Sequence, residues 1–138
     1  MENNTTDNFE TAIRPTLSVS NGIAAVEFYK KAFNAVELMR VSAPDGAIVA
    51  ELSIEGARFF VADGAADNEH TPVSGVIPIR MGLIVANPDA VAASAKAAGA
   101  IEVYPVADQH YGYRLGHYID PYGHHWEICK PLQHHAVR

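Results

Sequence analysis

Leu17-Ser-Val-Ser-Asn-Gly22 recurs about 66 residues later as Leu83-Ile-Val-Ala-Asn-Pro88, and this self-similarity decides the fold. In each copy a short alternating stretch ends in an asparagine, Asn21 or Asn87, whose side-chain oxygen can accept backbone N–H groups as a helix cap. Behind Asn21, the spacing puts Val26, Tyr29 and Phe33 on one helical face and turns Glu27, Lys30 and Lys31 away; Asn34 suits the end of that helix. Behind Asn87, Pro88 fits the first helical position, Val91, Ala92, Ala95 and Ala98 line up, and Gly99 is placed to stop the helix. Glu37 and Glu102 then open matching strands.

Working outward, strands are expected near 36–42, 47–54 and 57–62, broken by Pro44-Asp45-Gly46 and Glu55-Gly56. The second copy repeats them near 101–106, 113–119 and 124–130, with Asp120-Pro121-Tyr122-Gly123 as the last turn. The fold class that follows is α+β: two tandem βαβββ modules forming a curved mixed sheet around a cup. Residues 1–11 read as a polar, disordered lead, 12–132 as one domain and 133–138 as a loose tail. Within the domain, module one spans 12–63, a linker 64–76 and module two 77–132.

A chain of 138 residues with 49% hydrophobic content can bury a core without disulfide or metal staples. One cysteine, Cys129, excludes an internal disulfide and suits a reducing cytoplasm, and no apolar run reaches membrane-spanning length. A net charge of -6 with no basic cluster argues against nucleic acid and anionic lipid as partners.

Period-two alternation assigns the faces of each sheet. Ile48, Ala50, Leu52 and Ile54 form a row for the helix side, which sends Glu51 into the cup. Leu17 and Val19 pack while Arg14 faces the cup, and Ile79, Met81 and Leu83 pack while Arg80 faces it. In the final hairpin Leu115, His117 and Ile119 are assigned to the helix side, with Arg114, Gly116 and Tyr118 opposite. Trp126 and Ile128 pack, leaving His125, Glu127 and Cys129 inward. The expected ligand-binding lining is Arg14, Glu51, Phe60, Arg80, Arg114, Tyr118 and Glu127.

The paired modules, Ala25-Val-Glu-Phe-Tyr-Lys-Lys-Ala-Phe33 and the ending Asp120-Pro-Tyr-Gly-His-His-Trp-Glu127 resemble the vicinal oxygen chelate superfamily, the glyoxalase/bleomycin resistance/dioxygenase fold. Pro44-Asp-Gly46, Ala50-Glu-Leu52 and Pro105-Val-Ala-Asp-Gln109 resemble its PhnB-like branch. The resemblance implies a homodimer and a cup for a small molecule. It also implies metal ligands at positions that fall here on Arg14, Phe60, Arg80 and Glu127. Only Glu127 can ligate, because arginine stays protonated and offers donors alone. No metal and no cofactor is therefore expected.

Three readings of these charges stay open. Arg14 and Arg80 pair with Glu51 and Glu127 as a buried network, or they bind an anion through forked hydrogen bonds, or Glu127 with His125 forms a shifted metal site. His117 and His124 read as turn-flanking or half-buried imidazoles, Tyr111, Tyr113 and Tyr118 as packing or an aromatic wall, and Cys129 as a buried thiol. The function expected is metal-independent binding of an anionic or aromatic small molecule, for sequestration or resistance, with a metal-dependent lyase or isomerase of glyoxalase type as the alternative. Whether the cup forms within one chain or between two is open at this point.

Overall fold

Both asparagines act as caps. In the computed structural model, which describes residues 12–64 and 79–132, Asn21 accepts from Ala24 N at 3.1 Å and Asn87 from Ala90 N at 3.1 Å. The elements run β1 (Thr16–Val19), α1 (Gly22–Phe33), β2 (Val36–Ser42), β3 (Ile48–Ile54) and β4 (Ala57–Asp63). They repeat as β5 (Met81–Ile84), α2 (Pro88–Ala98), β6 (Ile101–Asp108), β7 (Tyr113–Ile119) and β8 (His125–Pro131). The expected lead 1–11, the tail 133–138 and all of the linker except Gly64 lie outside the described residues.

Each module folds into a four-stranded sheet, ordered β1-β4-β3-β2 and β5-β8-β7-β6, with the first strand parallel to the last and the other pairings antiparallel. Asn34 takes the left-handed conformation at the end of α1 (φ 59°), and Gly99, at φ 123°, ends α2 where a side chain would be strained. Asp63 ties the start of α1 to the start of β3 by accepting from Gly22 N and Ile48 N, each at 2.8 Å.

The two helix-covered faces share one core. Trp126 of β8 lies with its ring centroid 4.6 Å from Phe33 and 5.9 Å from both Tyr29 and Phe59, so side chains of both modules interdigitate. Burial of each such ring contributes roughly 1.5–3 kcal/mol, and edge or tilted ring pairs add about 0.5–1.5 kcal/mol. At the seam, the buried Asp120 carboxylate accepts from Tyr29 Oη at 2.5 Å, Trp126 Nε1 at 2.9 Å, and the backbone N–H groups of Tyr122 and His124 at 2.9 Å. Burial, then the Asp120 charge, pushes the Tyr29 hydroxyl well above its ordinary value, which keeps it a donor. His124 Nε2 also reaches the Ser18 carbonyl at 2.8 Å. The neighbouring odd-numbered carbonyls Pro15 and Val19 bond toward β4, so His124 covers the opposite, free edge of β1.

The helix-side rows of β1, β3, β4 and β8 fall where alternation puts them, but β7 is inverted. Tyr118, 2% exposed, is in the shared core, and its cross-strand partner is Trp126. Partners across an antiparallel pair share a face, so His117 sides with Glu127 and Ile119 with His125. Leu115 and Ile119 look like core residues, and Gly116 carries no signal; the hairpin register, not hydrophobicity, decides. Gly116 has a separate reason to be glycine, since a Cβ there would lie 2.6 Å from Val106 N of β6. Ile79 also departs from expectation: it precedes β5 and is 73% exposed.

Asp120→Ala would leave buried donors of Tyr29 and Trp126 without their acceptor and is expected to lower unfolding free energy by about 3 kcal/mol or more. Tyr29→Phe removes one donor and leaves the carboxylate three others, so about 1–2 kcal/mol is expected in the same denaturant titration.

Candidate functional site

With the helix-covered faces packed together, the opposite faces of the two sheets look away from each other. On module one's outward face, Thr16, Phe60, Glu51 and Met39 stand side by side across β1, β4, β3 and β2. Arg58 lies two residues before Phe60 on β4, and Arg14 two residues before Thr16, so the parallel register brings the arginines together. Both reach the same carboxylate: Arg14 Nε is 3.7 Å and Arg58 Nη1 3.5 Å from Glu51 Oε2. These separations exceed hydrogen-bond length, so charge alone holds the group together. The arginine side chains are 38% and 47% exposed against 16% for Glu51.

Module two repeats the positions with different chemistry. Gly82, Glu127, His117 and Tyr104 stand in one row, and Arg80 Nε closes on Glu127 Oε2 at 2.9 Å. By register, Glu127 takes the place of Phe60, His117 that of Glu51 and His125 that of Arg58. The carboxylate has moved from the third strand of its module to the last. His117 Nε2 and His125 Nδ1 lie 2.8 Å apart, with one hydrogen between them, and Tyr104 meets His117 edge-on. Burial first, then the neighbouring His125, holds the His117 imidazole below the ordinary histidine range, although Glu127 opposes this. Burial and Glu127 likewise raise the Cys129 thiol, which suits an inert buried sulfur.

Of the residues expected to line the cup, Arg14, Glu51 and Phe60 come together on one outward face and Arg80 and Glu127 on the other. Arg114 and Tyr118 do not join them; both are on the helix side of β7. Arg114 donates to Asp89 in the first turn of α2 through Nε and Nη2, both at 2.8 Å, and to Asp108 at 3.0 Å. Tyr118 donates to Glu102 at 3.2 Å, its hydroxyl pushed up to about 12 by burial and then by that carboxylate. Alternation missed Arg58 and His117. Counting two back from Phe60 finds the first, and pairing His117 with Glu127 across the hairpin finds the second. The expected charge pairs exist, but they are surface groups and not a buried network.

The ligand positions of a divalent ion do not fit this chain. Two hold guanidinium groups, one a phenyl ring, and the single carboxylate, Glu127, is already paired with Arg80. Among the described residues no three His, Cys, Asp or Glu side chains converge as a metal group would. Nor is any described helix long and apolar enough to cross a membrane.

No family model matches the chain. An uncharacterized protein of Mycobacterium bovis is 39% identical over 132 residues, covering 91% of this chain and 87% of that protein. A Mycobacterium tuberculosis relative has the same identity, with 78% of its length covered. Among solved structures, TioX from Micromonospora superposes with a TM-score of 0.68 at 24% identity over 89% of this chain and 98% of its own. The fosfomycin resistance protein FosX of Listeria monocytogenes gives 0.71 at 16% identity over 94% and 99%. A glyoxalase-related enzyme of Fulvimarina pelagi gives 0.66 at 19% identity over 88% of each chain. These likenesses show the fold, two βαβββ modules of the glyoxalase/bleomycin resistance kind. The chain belongs to one family with the mycobacterial proteins.

Lowered in the folded state, the His117 value means that the unfolded chain binds more protons as acidity rises. His117 therefore contributes stability above the ordinary histidine value of about 6.5 that is lost as pH falls below it. An NMR titration of the folded protein should place the His117 midpoint below that value; a midpoint above it would contradict the burial argument.

Proposed function

We propose that this chain is a metal-independent small-molecule-binding protein of the PhnB-like branch, which takes an anionic or aromatic ligand in a cup completed by a second copy of itself. The observation that carries this reading is the occupancy of the ligand corners: guanidinium groups at Arg14 and Arg80, the latter closed on Glu127 at 2.9 Å. A guanidinium repels a cation and recognises an oxyanion through its fixed fork. The proposed ligand-binding residues are Arg14, Arg58, Glu51 and Phe60 of one copy, across the cup from the other copy's Arg80 and Glu127, which are paired with each other.

The homodimer rests on surface chemistry. Val36, Met39, Val41 and Val49 on module one's outward face, and Ile84, Ile101 and Tyr104 on module two's, are exposed apolar groups around charged corners. Apolar sheet faces of this kind are covered when they meet a partner, and a module-one face set against a module-two face would restore the duplicated cup. Sequestration or resistance needs binding alone, a role in keeping with the name of the fosfomycin resistance protein FosX. A cytoplasmic location accords with the lone thiol.

The second reading is a glyoxalase-type lyase or isomerase. It is favoured by the shared outward face of His117, His125 and Glu127, which puts imidazole and carboxylate groups side by side.

Sedimentation equilibrium should give twice the mass of one chain, and Val41→Asp should shift the population toward single chains. Chelator treatment followed by metal analysis should leave ligand binding unchanged; loss of binding on chelation, restored by one metal equivalent, would favour the enzyme.

A further inference from the structure

We propose that the two charged corners have different tasks, with the Arg14–Arg58 corner seating the single carboxylate of an otherwise apolar ligand and the Arg80–Glu127 corner remaining a closed ion pair. This deepens the cup reading above and rests on it. At the first corner two guanidinium groups share one carboxylate, leaving a surplus of one positive charge. Their distances to Glu51, 3.5 and 3.7 Å, are too long for hydrogen bonds, so the forked donors can turn to a ligand without first breaking one. At the second corner one guanidinium meets one carboxylate at 2.9 Å, the charge balances, and an anion would have to displace Glu127.

The surroundings define the rest of the ligand. Phe60 stands beside Glu51 in the same row, Met39 on its other side, and Val49 is in the next outward position along β3. Met39 and Val49 are exposed and Phe60 is half-buried, so a flat apolar body lying along the sheet would cover all three. One surplus charge matches a monoanion; a dianion would leave one charge unbalanced beside Glu51. The class is therefore an aryl or alkenyl carboxylic acid rather than a phosphate ester.

The test uses the intact protein with cinnamate, its neutral amide cinnamamide, and phenyl phosphate, followed by NMR shift titration. Arg14→Gln and Arg58→Gln are each expected to weaken cinnamate about tenfold, the worth of a charge-assisted hydrogen bond. Arg58→Lys should restore only part of this, because it keeps the charge and loses the fork. Arg80→Gln should change cinnamate binding less than about threefold, and cinnamamide should respond to none of these variants by more than that, as expected for surface groups outside its contacts. All of these side chains are at least partly exposed, so melting temperatures should hold and report that folding is intact. A larger loss with Arg80→Gln, tighter binding of phenyl phosphate, or equal binding of cinnamate and cinnamamide by the unaltered protein overturns this inference and leaves the cup reading standing. No saturable binding by any of the probes overturns both.

Discussion

The Asp120 carboxylate accepts four hydrogen bonds, one of them from Tyr29 of module one and the others from module two's own last hairpin. A buried carboxylate is tolerated only when its lone pairs are satisfied, and here the satisfaction requires both modules to be in place. The aromatic rings around it, Trp126 against Phe33, Tyr29 and Phe59, make the same junction apolar and close-packed. Polar specificity and apolar burial thus act at one seam. The seam fixes which faces of the two sheets meet, and so which faces remain free.

Everything about the site follows from that orientation. Because the helix-covered faces pack on each other, the free faces diverge, and each carries one charged corner. The halves have drifted apart chemically under one register: where module one has Phe60, Glu51 and Arg58, module two has Glu127, His117 and His125. A duplicated metal cup would need equivalent donors in both halves. Instead, permanent cations stand at both first-strand corners, and the carboxylates that answer them sit on different strands. The scaffold is the glyoxalase/bleomycin resistance fold, while its corners carry guanidinium groups.

The fold was legible in the sequence because local signals agreed with one another. Asn21 and Asn87 are caps, Gly99 is a stop, and the Ile48 to Ile54 row alternates cleanly. The site was legible only in part. The outward placing of Arg14, Glu51, Arg80 and Glu127 follows from strand parity and the repeat, whereas parity puts Tyr118 and Arg114 on the wrong face. On β7 both faces carry apolar residues and the middle position is glycine, so hydrophobic alternation has no preferred phase there. Only pairing with β8, whose phase Trp126 sets, resolves it. Arg58 carries no local signal for a different reason: it is exposed and unremarkable until the parallel register sets it beside Arg14. Long-range pairing, which no local window contains, carried the missing information.

The central claim is that each cup is built from module one of one copy and module two of another. Co-refolding two defective variants tests it directly: Arg58→Gln, which damages only module one's half, and Gly82→Phe, which fills only module two's half, where open space now lies. Mixed dimers would each regain one undamaged cup, so the account predicts cinnamate-binding capacity of about a quarter of the unaltered protein's, although each variant alone binds poorly. Capacity no greater than the average of the two variants would place both halves of the cup in the same chain and contradict the account.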